Sequence, residues 1–137
     1  MEMSPYLSFK GDCEEAFHFY EGCLNARIVS LHRYGGSPMA EAAPAGWDEK
    51  IMHGTLQIGE RELLGSDVAP ESYAAPSGFS LTLQFAETTA AEGVWVSLAE
   101  GGRVLVPLAP TFWAARFGMV VDRFGVPWMI NSGGTAA

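Results

Sequence analysis

Two segments of the chain carry hydrophobic residues at the spacing of an amphipathic helix. These segments are residues 12–24 and 88–100. Asp12 with Glu15, and Thr89 with Glu92, have the spacing of a capping box at the start of a helix. The apolar stripes are Cys13, Ala16, Phe17, Tyr20 and Leu24 in the first segment, and Ala91, Val94, Trp95 and Leu98 in the second. Because the same plan occurs in each half, we expect a structural repeat.

Short runs typical of β-strands precede and follow each helical segment. The clearest is Phe79–Phe85, in which apolar and polar residues alternate strictly. The predicted strands are Tyr6–Phe9, Ala26–Arg33, Ile51–Ile58 and Glu62–Ser66 in the first half, and Phe79–Phe85, Val104–Leu108, Arg116–Asp122 and Val126–Ile130 in the second. The order βαβββ thus occurs twice. It predicts an α+β fold of two mixed sheets, each with its helix on one face, that can pair to enclose a cleft.

The composition is that of an ordinary globular domain, with 48% hydrophobic and 18% charged residues. A length of 137 residues favours one domain over 1–137, with a first module at about 4–67 and a second at about 78–131. The net charge of −8 disfavours nucleic acid or an anionic membrane surface as partner.

Nothing in the sequence indicates export or insertion in a membrane. No apolar stretch approaches the ~20 residues of a membrane span, and the first residues do not resemble a secretory signal. On one helix, Cys13 and Cys23 would lie about 15 Å apart, too far for a disulfide. Reduced, buried thiols and a cytoplasmic location are therefore expected.

Alternation along the strands predicts which side chains face away from the helices. In Ile51–Ile58, the helix-facing residues are predicted to be Met52, Leu56 and Ile58. The residues predicted to line the opposite, ligand-facing surfaces are Tyr6, Ser8, His53, Thr55 and Gln57 in the first half, and Ser80, Thr82, Gln84, Met129 and Asn131 in the second. These surfaces are polar and uncharged, which suits a neutral organic ligand with oxygen atoms.

His53 is the only histidine on a predicted ligand-facing surface. Imidazole side chains titrate near neutral pH, so His53 could serve as a general base. The structural alternative is a His53 that is hydrogen-bonded to a neighbouring strand or to Asp67. His18 lies off the apolar stripe of its helix and is expected to be exposed, and we assign no role to His32.

Several other positions leave alternatives open. Asp67 and Asp122 end strands and are predicted to accept backbone N–H groups in turns. Trp113 is interpreted either as a core or dimer-contact aromatic or as a ligand-stacking one. The loop at residues 35–48 is long enough for a lid, with Met39 and Trp47 as its apolar contacts, or for a mobile segment. The tail at residues 132–137 is expected to fray.

Four motifs resemble the vicinal oxygen chelate superfamily, which has the glyoxalase and bleomycin-resistance fold. They are PYLSFKGDCEEAFHFY at 5–20, IMHGTLQIG at 51–59, GSD at 65–67 and TFWAARFGMVVDRFGVPWMIN at 111–131. The closer resemblance is to the PhnB-like branch, some members of which carry a demethylubiquinone methyltransferase name. It implies two βαβββ modules that form a cupped, partly open mixed-sheet barrel, often in a homodimer. It also implies that the protein binds a small molecule in this cup.

The resemblance also implies where a metal would be held: by His, Gln or Glu on the first and last strands of each module. In this sequence those strands contain no histidine and one acid, Glu62, and the ligand position in the last strand falls near Met129. A divalent ion needs several such ligands together, so no metal and no other cofactor are expected.

Two functions remain open for this sequence. The first is a metal-free PhnB-like protein that binds or acts on a small oxygenated molecule, with His53 as catalytic base. Its ligand-binding residues would be Tyr6, Ser8, Gln57, Gln84, Trp113, Met129 and Asn131. The second is a drug-resistance type of binding protein that sequesters its ligand without chemistry. Methyltransferase activity is not expected, because no GxGxxG motif is present for the cofactor.

Overall fold

The computed structural model describes residues 1–133, and the chain divides into two units, residues 1–74 and residues from Ala75 onward. The first unit consists of β1 (Tyr6–Phe9), α1 (Cys13–Leu24), β2 (Arg27–Arg33), β3 (Ile51–Ile58) and β4 (Arg61–Asp67). The second consists of β5 (Leu81–Phe85), α2 (Thr88–Ala99), β6 (Arg103–Ala109), β7 (Arg116–Val121) and β8 (Pro127–Ser132). The predicted α+β class and the repeated βαβββ order are confirmed.

Each unit contains one open, four-stranded mixed sheet. The strand order is β1-β4-β3-β2 in the first sheet and β5-β8-β7-β6 in the second. In both sheets the first strand runs parallel to the last, and the remaining neighbours are antiparallel. The crossover from the first strand to the second contains the helix, which packs on one face of its own sheet. The other face of each sheet therefore carries no helix of its own unit.

In the first unit, α1 packs Phe17 onto a pair of glycines. Gly54 of β3 and Gly65 of β4 are register partners, and a Cβ atom on either would lie 3.1 Å from the Phe17 ring. Phe17 itself is fully buried. The missing side chains let the helix approach the sheet closely, and they identify the helix-facing side of both strands.

The second unit repeats this arrangement with one glycine. A Cβ atom on Gly118 of β7 would lie 2.7 Å from the Trp95 ring of α2 and 3.0 Å from the Leu108 Cα atom. Phe17 and Trp95 thus occupy equivalent places in the two modules, each on a glycine of the third strand. Both were predicted from the helical stripes; Trp95, however, is only half-buried.

The predicted capping boxes are wrong for both helices. Asp12 makes no side-chain bond to the start of α1; the N–H of Cys13 instead donates to Asp67 Oδ1 at 2.9 Å. Thr89 lies inside α2, and Glu92 lies 3.4 Å from Arg116 Nε on the sheet beneath the helix. Spacing along the chain could not reveal these partners, because they come from strands distant in sequence.

A β-bulge changes the predicted alternation at the start of β3. His32 of β2 pairs with His53, whereas the next residue, Arg33, pairs with Ile51, so Met52 is the additional residue. Ile51 is consequently fully buried, and Met52 is only half-buried. Beyond the bulge, Leu56 is buried as expected, whereas Ile58, the other predicted helix-facing residue, is only half-buried.

The chain end differs from the expected frayed tail. Ser132 is the last residue of β8 and is 1% exposed. Gly133 donates its N–H to the Phe85 carbonyl oxygen at 3.2 Å. The remainder of that predicted tail, residues 134–137, lies outside the described residues.

Neither cysteine is joined in a disulfide, in agreement with the prediction of reduced thiols. Cys13 is buried, but Cys23 is only half-buried. Neither 12-residue helix of the described chain has the length and apolar character that crossing a bilayer requires.

We predict that Gly118→Ala destabilises the protein by about 1–3 kcal/mol, the usual range for overpacking. The added methyl group would overlap the Trp95 ring and the backbone at Leu108, so either α2 or β6 must move. The free energy of unfolding from urea denaturation measures this effect.

Gly93→Ala is the matched control, because Gly93 lies in α2 of the same unit and a Cβ atom there meets nothing within 4 Å. It should raise stability by about 0.5–1 kcal/mol, since alanine favours a helix interior over glycine. If both variants were equally stabilised, the close packing of Trp95 on Gly118 would be disproved.

Candidate functional site

The helix-free face of the first sheet brings Tyr6 and His53 together. Tyr6 on β1 and His53 on β3 lie on either side of β4, and their ring centroids are 5.8 Å apart with an interplanar angle of 35°. Tyr6 is 50% exposed, whereas its neighbour Leu7 is buried on the helix side. Ser8 lies two residues further along β1 on the same face as Tyr6 and is half-buried. The alternation of faces predicted for these strands is therefore confirmed in β1.

The imidazole of His53 makes no hydrogen bond or ion pair with another residue of the described chain. The structural alternative of a bond to Asp67 is not found, because that carboxylate accepts backbone N–H groups from Gly11, Cys13 and Ile51. His18 is 59% exposed at its side chain, as expected, and lies near Glu14 and Glu21. His32, the register partner of His53, is exposed on the same face, because its neighbour Leu31 lies on the helix side against Gly54. This face therefore carries two imidazoles, and His53 is the one in contact with Tyr6.

Asp67 has a structural role larger than the local turn that was predicted. Its carboxylate receives N–H groups from residues 16 to 56 positions away, at 2.8 to 3.0 Å. Its backbone oxygen accepts the Tyr34 hydroxyl at 2.7 Å. Burial, with the negative charge of Asp67 in addition, raises the pKa of the Cys13 thiol and of the Tyr34 phenol. A protonated, buried Cys13 is a poor nucleophile, so it is not a catalytic candidate.

Gln57 is engaged in contacts within its own unit. Its Oε1 atom accepts a 2.8 Å hydrogen bond from Arg27 Nη2, and its Nε2 atom donates to the Gly59 carbonyl oxygen at 3.1 Å. It lies at the hairpin end of β3, where it lines a cavity of about 280 Å³. The other lining residues are Glu2, Met3, Ser4, Glu60, Arg61 and Glu62. This end of the sheet is charged, unlike the uncharged surface that was predicted.

The helix-free face of the second sheet brings three predicted ligand-binding residues together. Gln84 of β5 and Asn131 of β8 are register partners, and Asn131 also pairs with Phe117 of β7. Met129 lies two residues before Asn131 and therefore points to the same face. Its partner on β7 is Met119. Phe117 and Met119 were not predicted to lie beside these residues. Their position depends on the register between β7 and β8, which the pattern of a single strand does not show.

Trp113, in the loop before β7, packs against Phe117 of this face. Its ring centroid lies 5.3 Å from that of Phe117 and 4.7 Å from that of Phe112, with steep interplanar angles in both pairs. Phe112 is 97% and Trp113 is 42% exposed, so neither is a core residue. Of the two interpretations, burial in the core of the chain is excluded; contact with a partner or with a ligand stays open.

Asn131 also carries an unsatisfied atom. Its Oδ1 atom is buried and has no hydrogen-bond partner among the described residues, and the same holds for the hydroxyl oxygen of Ser132 on the opposite face. The predicted site residues thus form two groups: Tyr6, Ser8, His53 and Gln57 on the first sheet, and Gln84, Trp113, Met129 and Asn131 on the second. That both groups line one shared cup stays a prediction.

The loop at residues 35–48 is fixed to the first unit at its base. The N–H groups of Tyr34 and Gly35 donate to the carbonyl oxygens of Lys50 and Asp48, at 3.0 and 2.9 Å. Trp47 packs against Tyr34 with ring centroids 6.1 Å apart, while Met39 is half exposed. Trp47 is therefore engaged within its own unit, which argues against its predicted role as the apolar contact of a lid.

Within residues 1–133, no three side chains of His, Cys, Asp or Glu are grouped so that they could hold a metal ion. The helix-free faces of the two sheets offer the imidazoles of His53 and its register partner His32, the carboxylate of Glu62 beside Gln57, and amides, hydroxyls and thioethers, but no three of the imidazole and carboxylate groups lie together. Hard divalent ions prefer several carboxylate or imidazole donors together. The donor set on these faces therefore does not fit the metal centre of the metal-using members.

The sequence model of a protein family described as 3-demethylubiquinone-9 3-methyltransferase matches residues 1–131. Protein YjdN of Escherichia coli (strain K12) is 37% identical over 139 residues, which cover 96% of this chain and 95% of YjdN. The chain belongs to this family. The predicted resemblance to the PhnB-like branch of the vicinal oxygen chelate superfamily is thereby confirmed.

Solved structures support the fold of this PhnB-like protein. Protein PA1353 from Pseudomonas aeruginosa is similar over 96% of this chain and 97% of its own, with a TM-score of 0.87 and 44% identity. The fosfomycin resistance protein FosX from Listeria monocytogenes has a TM-score of 0.65 at 13% identity, over 97% of this chain and 93% of its own. The likeness to FosX shows a common fold and nothing about chemistry.

Proposed function

We propose that this PhnB-like protein binds a small, uncharged organic molecule with oxygen atoms and acts on it without a metal, with His53 as general base. The observation that carries the proposal is the contact of Tyr6 with His53 on a sheet face that no helix of its unit covers. A phenol hydroxyl can donate or accept a hydrogen bond, and an imidazole can accept a proton beside it.

Other residues on the helix-free face of each sheet support a ligand of this kind. Tyr6 is half exposed, so its ring is accessible, and Ser8 supplies a second hydroxyl on the same strand. In the second unit, Gln84 and Asn131 supply amide donors and acceptors. Such a set of neutral polar groups orients a ligand through hydrogen bonds, as in small-molecule sites generally.

The second candidate is a protein that sequesters its ligand without chemistry. A general base is normally oriented by another side chain, and no such partner of His53 is found among residues 1–133. This observation favours binding alone. The methyltransferase name of the family is not part of the proposal, because the sequence lacks a GxGxxG motif and Gly101 with Gly102 follows a helix.

A cytoplasmic location and a homodimer complete the proposal. The absence of a disulfide between Cys13 and Cys23 fits a reducing compartment. For the dimer, the support is the apolar edge of the second sheet, where Val104, Leu105 and Val106 of β6 are all exposed. Exposed edge strands of this kind are usually covered in folded proteins.

We predict that His53→Ala abolishes turnover, or weakens ligand binding where no turnover occurs, while the protein stays folded. His53 is half-buried on the face away from α1, and the core residue Leu56 still packs on the helix. Thermal-shift screening of oxygenated compounds identifies the ligand, and NMR of that compound measures turnover. An active enzyme should show a limb in its pH–rate profile that the variant lacks.

His18→Ala is the control, because it removes an exposed imidazole from the surface of α1. It should leave binding, turnover and stability unchanged within about 0.5 kcal/mol. A His53→Ala protein that binds and turns over the compound like the wild type would refute the catalytic role. Loss of binding without any turnover in the wild type would instead support sequestration.

We predict that the purified protein contains no stoichiometric metal and that EDTA leaves its melting temperature unchanged. The donor set of the helix-free faces does not fit a divalent ion, so no metal should contribute to stability. Elemental analysis measures the content. One zinc, nickel, manganese or iron per chain would contradict the metal-free proposal.

We predict a mass of two chains in light scattering at micromolar concentration. Leu105→Lys places a charge on the exposed apolar edge of β6 and should shift the mass toward one chain. Val96→Lys is the matched control, because it places the same charge on an exposed apolar residue of α2, away from that edge, and should leave the mass unchanged. A wild-type protein that is monomeric at this concentration would disprove the dimer.

A further inference from the structure

The second sheet carries two side-chain amides directly beside each other on its helix-free face. Gln84 on β5 and Asn131 on β8 are register partners in a parallel pair, so their side chains leave the sheet from neighbouring positions. Each amide has a carbonyl acceptor and an NH₂ donor. Together they can bind an edge that presents one donor and one acceptor side by side.

One of these two amides has a hydrogen-bonding group that is not satisfied. The Oδ1 atom of Asn131 is shielded from solvent and has no partner among the described residues. A buried acceptor without a donor costs about 1–3 kcal/mol, and most such groups in proteins have a partner. A rotation of the Asn131 side chain would present this atom to a ligand donor, and the hydrogen bond would recover that cost.

The side chains next to this position are apolar, and two of them are aromatic. Phe117 pairs with Asn131 on one side, and Trp113 packs against Phe117 with ring centroids 5.3 Å apart. Met129 and Met119 form the next row on the same face. Aromatic rings and thioethers favour contact with a planar, polarizable molecule.

Among the described residues, the strand positions beside Gln84 and Asn131 on this face carry no charged side chain. Arg116, the neighbour of Phe117 on β7, pairs with Ser132 on the helix side and lies 3.4 Å from Glu92 of α2. A charged ligand would lose its hydration without gaining a countercharge from these positions, which is costly. The chemistry of the face therefore selects a neutral compound.

We infer that Asn131 and Gln84 form a recognition site for a neutral, planar aromatic ligand with a hydrogen-bond donor next to an acceptor, such as a lactam. The Asn131 oxygen accepts the donor, the Gln84 NH₂ group donates to the acceptor, and Phe117 and Trp113 contact the ring face. This inference rests on the proposed function, which it makes more specific by naming the class of ligand.

The test uses 2-quinolinone, a planar lactam, and N-methyl-2-quinolinone, which lacks the donor. Binding is followed by NMR titration of backbone amide signals of β8 in the full chain. We expect 2-quinolinone to bind about tenfold more tightly than its N-methyl derivative, because only the former can satisfy the buried oxygen. Equal affinity for the two compounds would overturn the inference.

Asn131→Leu removes the amide and should reduce the affinity for 2-quinolinone to that of the N-methyl compound. The melting temperature of this variant should not fall, because the substitution removes the free-energy cost of an unpaired buried acceptor. Ser132→Ala is the matched control: it removes the other unpaired oxygen, from the next residue of β8 but on the opposite face. It should leave the affinity unchanged, and an unchanged affinity in Asn131→Leu would refute the site.

Failure of the inference can be told apart from failure of the proposed function. If neither lactam binds but other oxygenated compounds shift the melting temperature and the signals of β1 or β3, the ligand class is wrong and small-molecule binding stands. If neither the lactams nor the other oxygenated compounds bind to the folded protein, the ligand class and the proposed function are both wrong.

Discussion

The buried carboxylate of Asp67 holds the first unit together. It lies at the end of β4, is 1% exposed, and accepts N–H groups at the turn before α1, at the first residue of α1 and at the first residue of β3. One side chain thereby fixes where the helix begins and where the third strand enters the sheet. Removing it would leave three backbone donors without a partner in the interior, and each would cost about 1–3 kcal/mol.

The packing of the helix follows from this anchoring. With its first turn bonded to β4, α1 directs Phe17 onto the paired Gly54 and Gly65, where the absence of side chains lets the ring approach. The second unit reaches the same arrangement through Trp95 and Gly118 with a different carboxylate. Asp122 there accepts the N–H groups of Phe124 and Val126 in its own hairpin turn and of the Trp128 indole, so it stabilises the hairpin of β7 and β8.

Sequence patterns predicted what depends on near neighbours and missed what depends on distant ones. The elements, their order and the repeat could be predicted, because period and alternation are local properties. The partner of the α1 N-terminus could not, since Asp67 is 54 residues away from Cys13. The buried Ile51 was missed because one additional residue, Met52, changes the phase of the strand. Likewise, strand alternation assigned Asn131 to the correct face, but only the register joined it to Gln84 and Phe117.

The two helix-free faces differ in the chemistry that they can contribute. The first has a titratable group, His53, beside Tyr6, and it ends in the charged hairpin around Gln57 and Glu62. The second has amides, thioethers and aromatic rings, none of which exchanges protons near neutral pH. Recognition through hydrogen bonds and ring contacts can therefore come from the second face alone, whereas proton transfer requires a group of the first face, such as His53. A protein that only sequesters its ligand needs recognition, whereas an enzyme also needs proton transfer, so the two candidate functions differ in whether the ligand contacts the imidazole of His53.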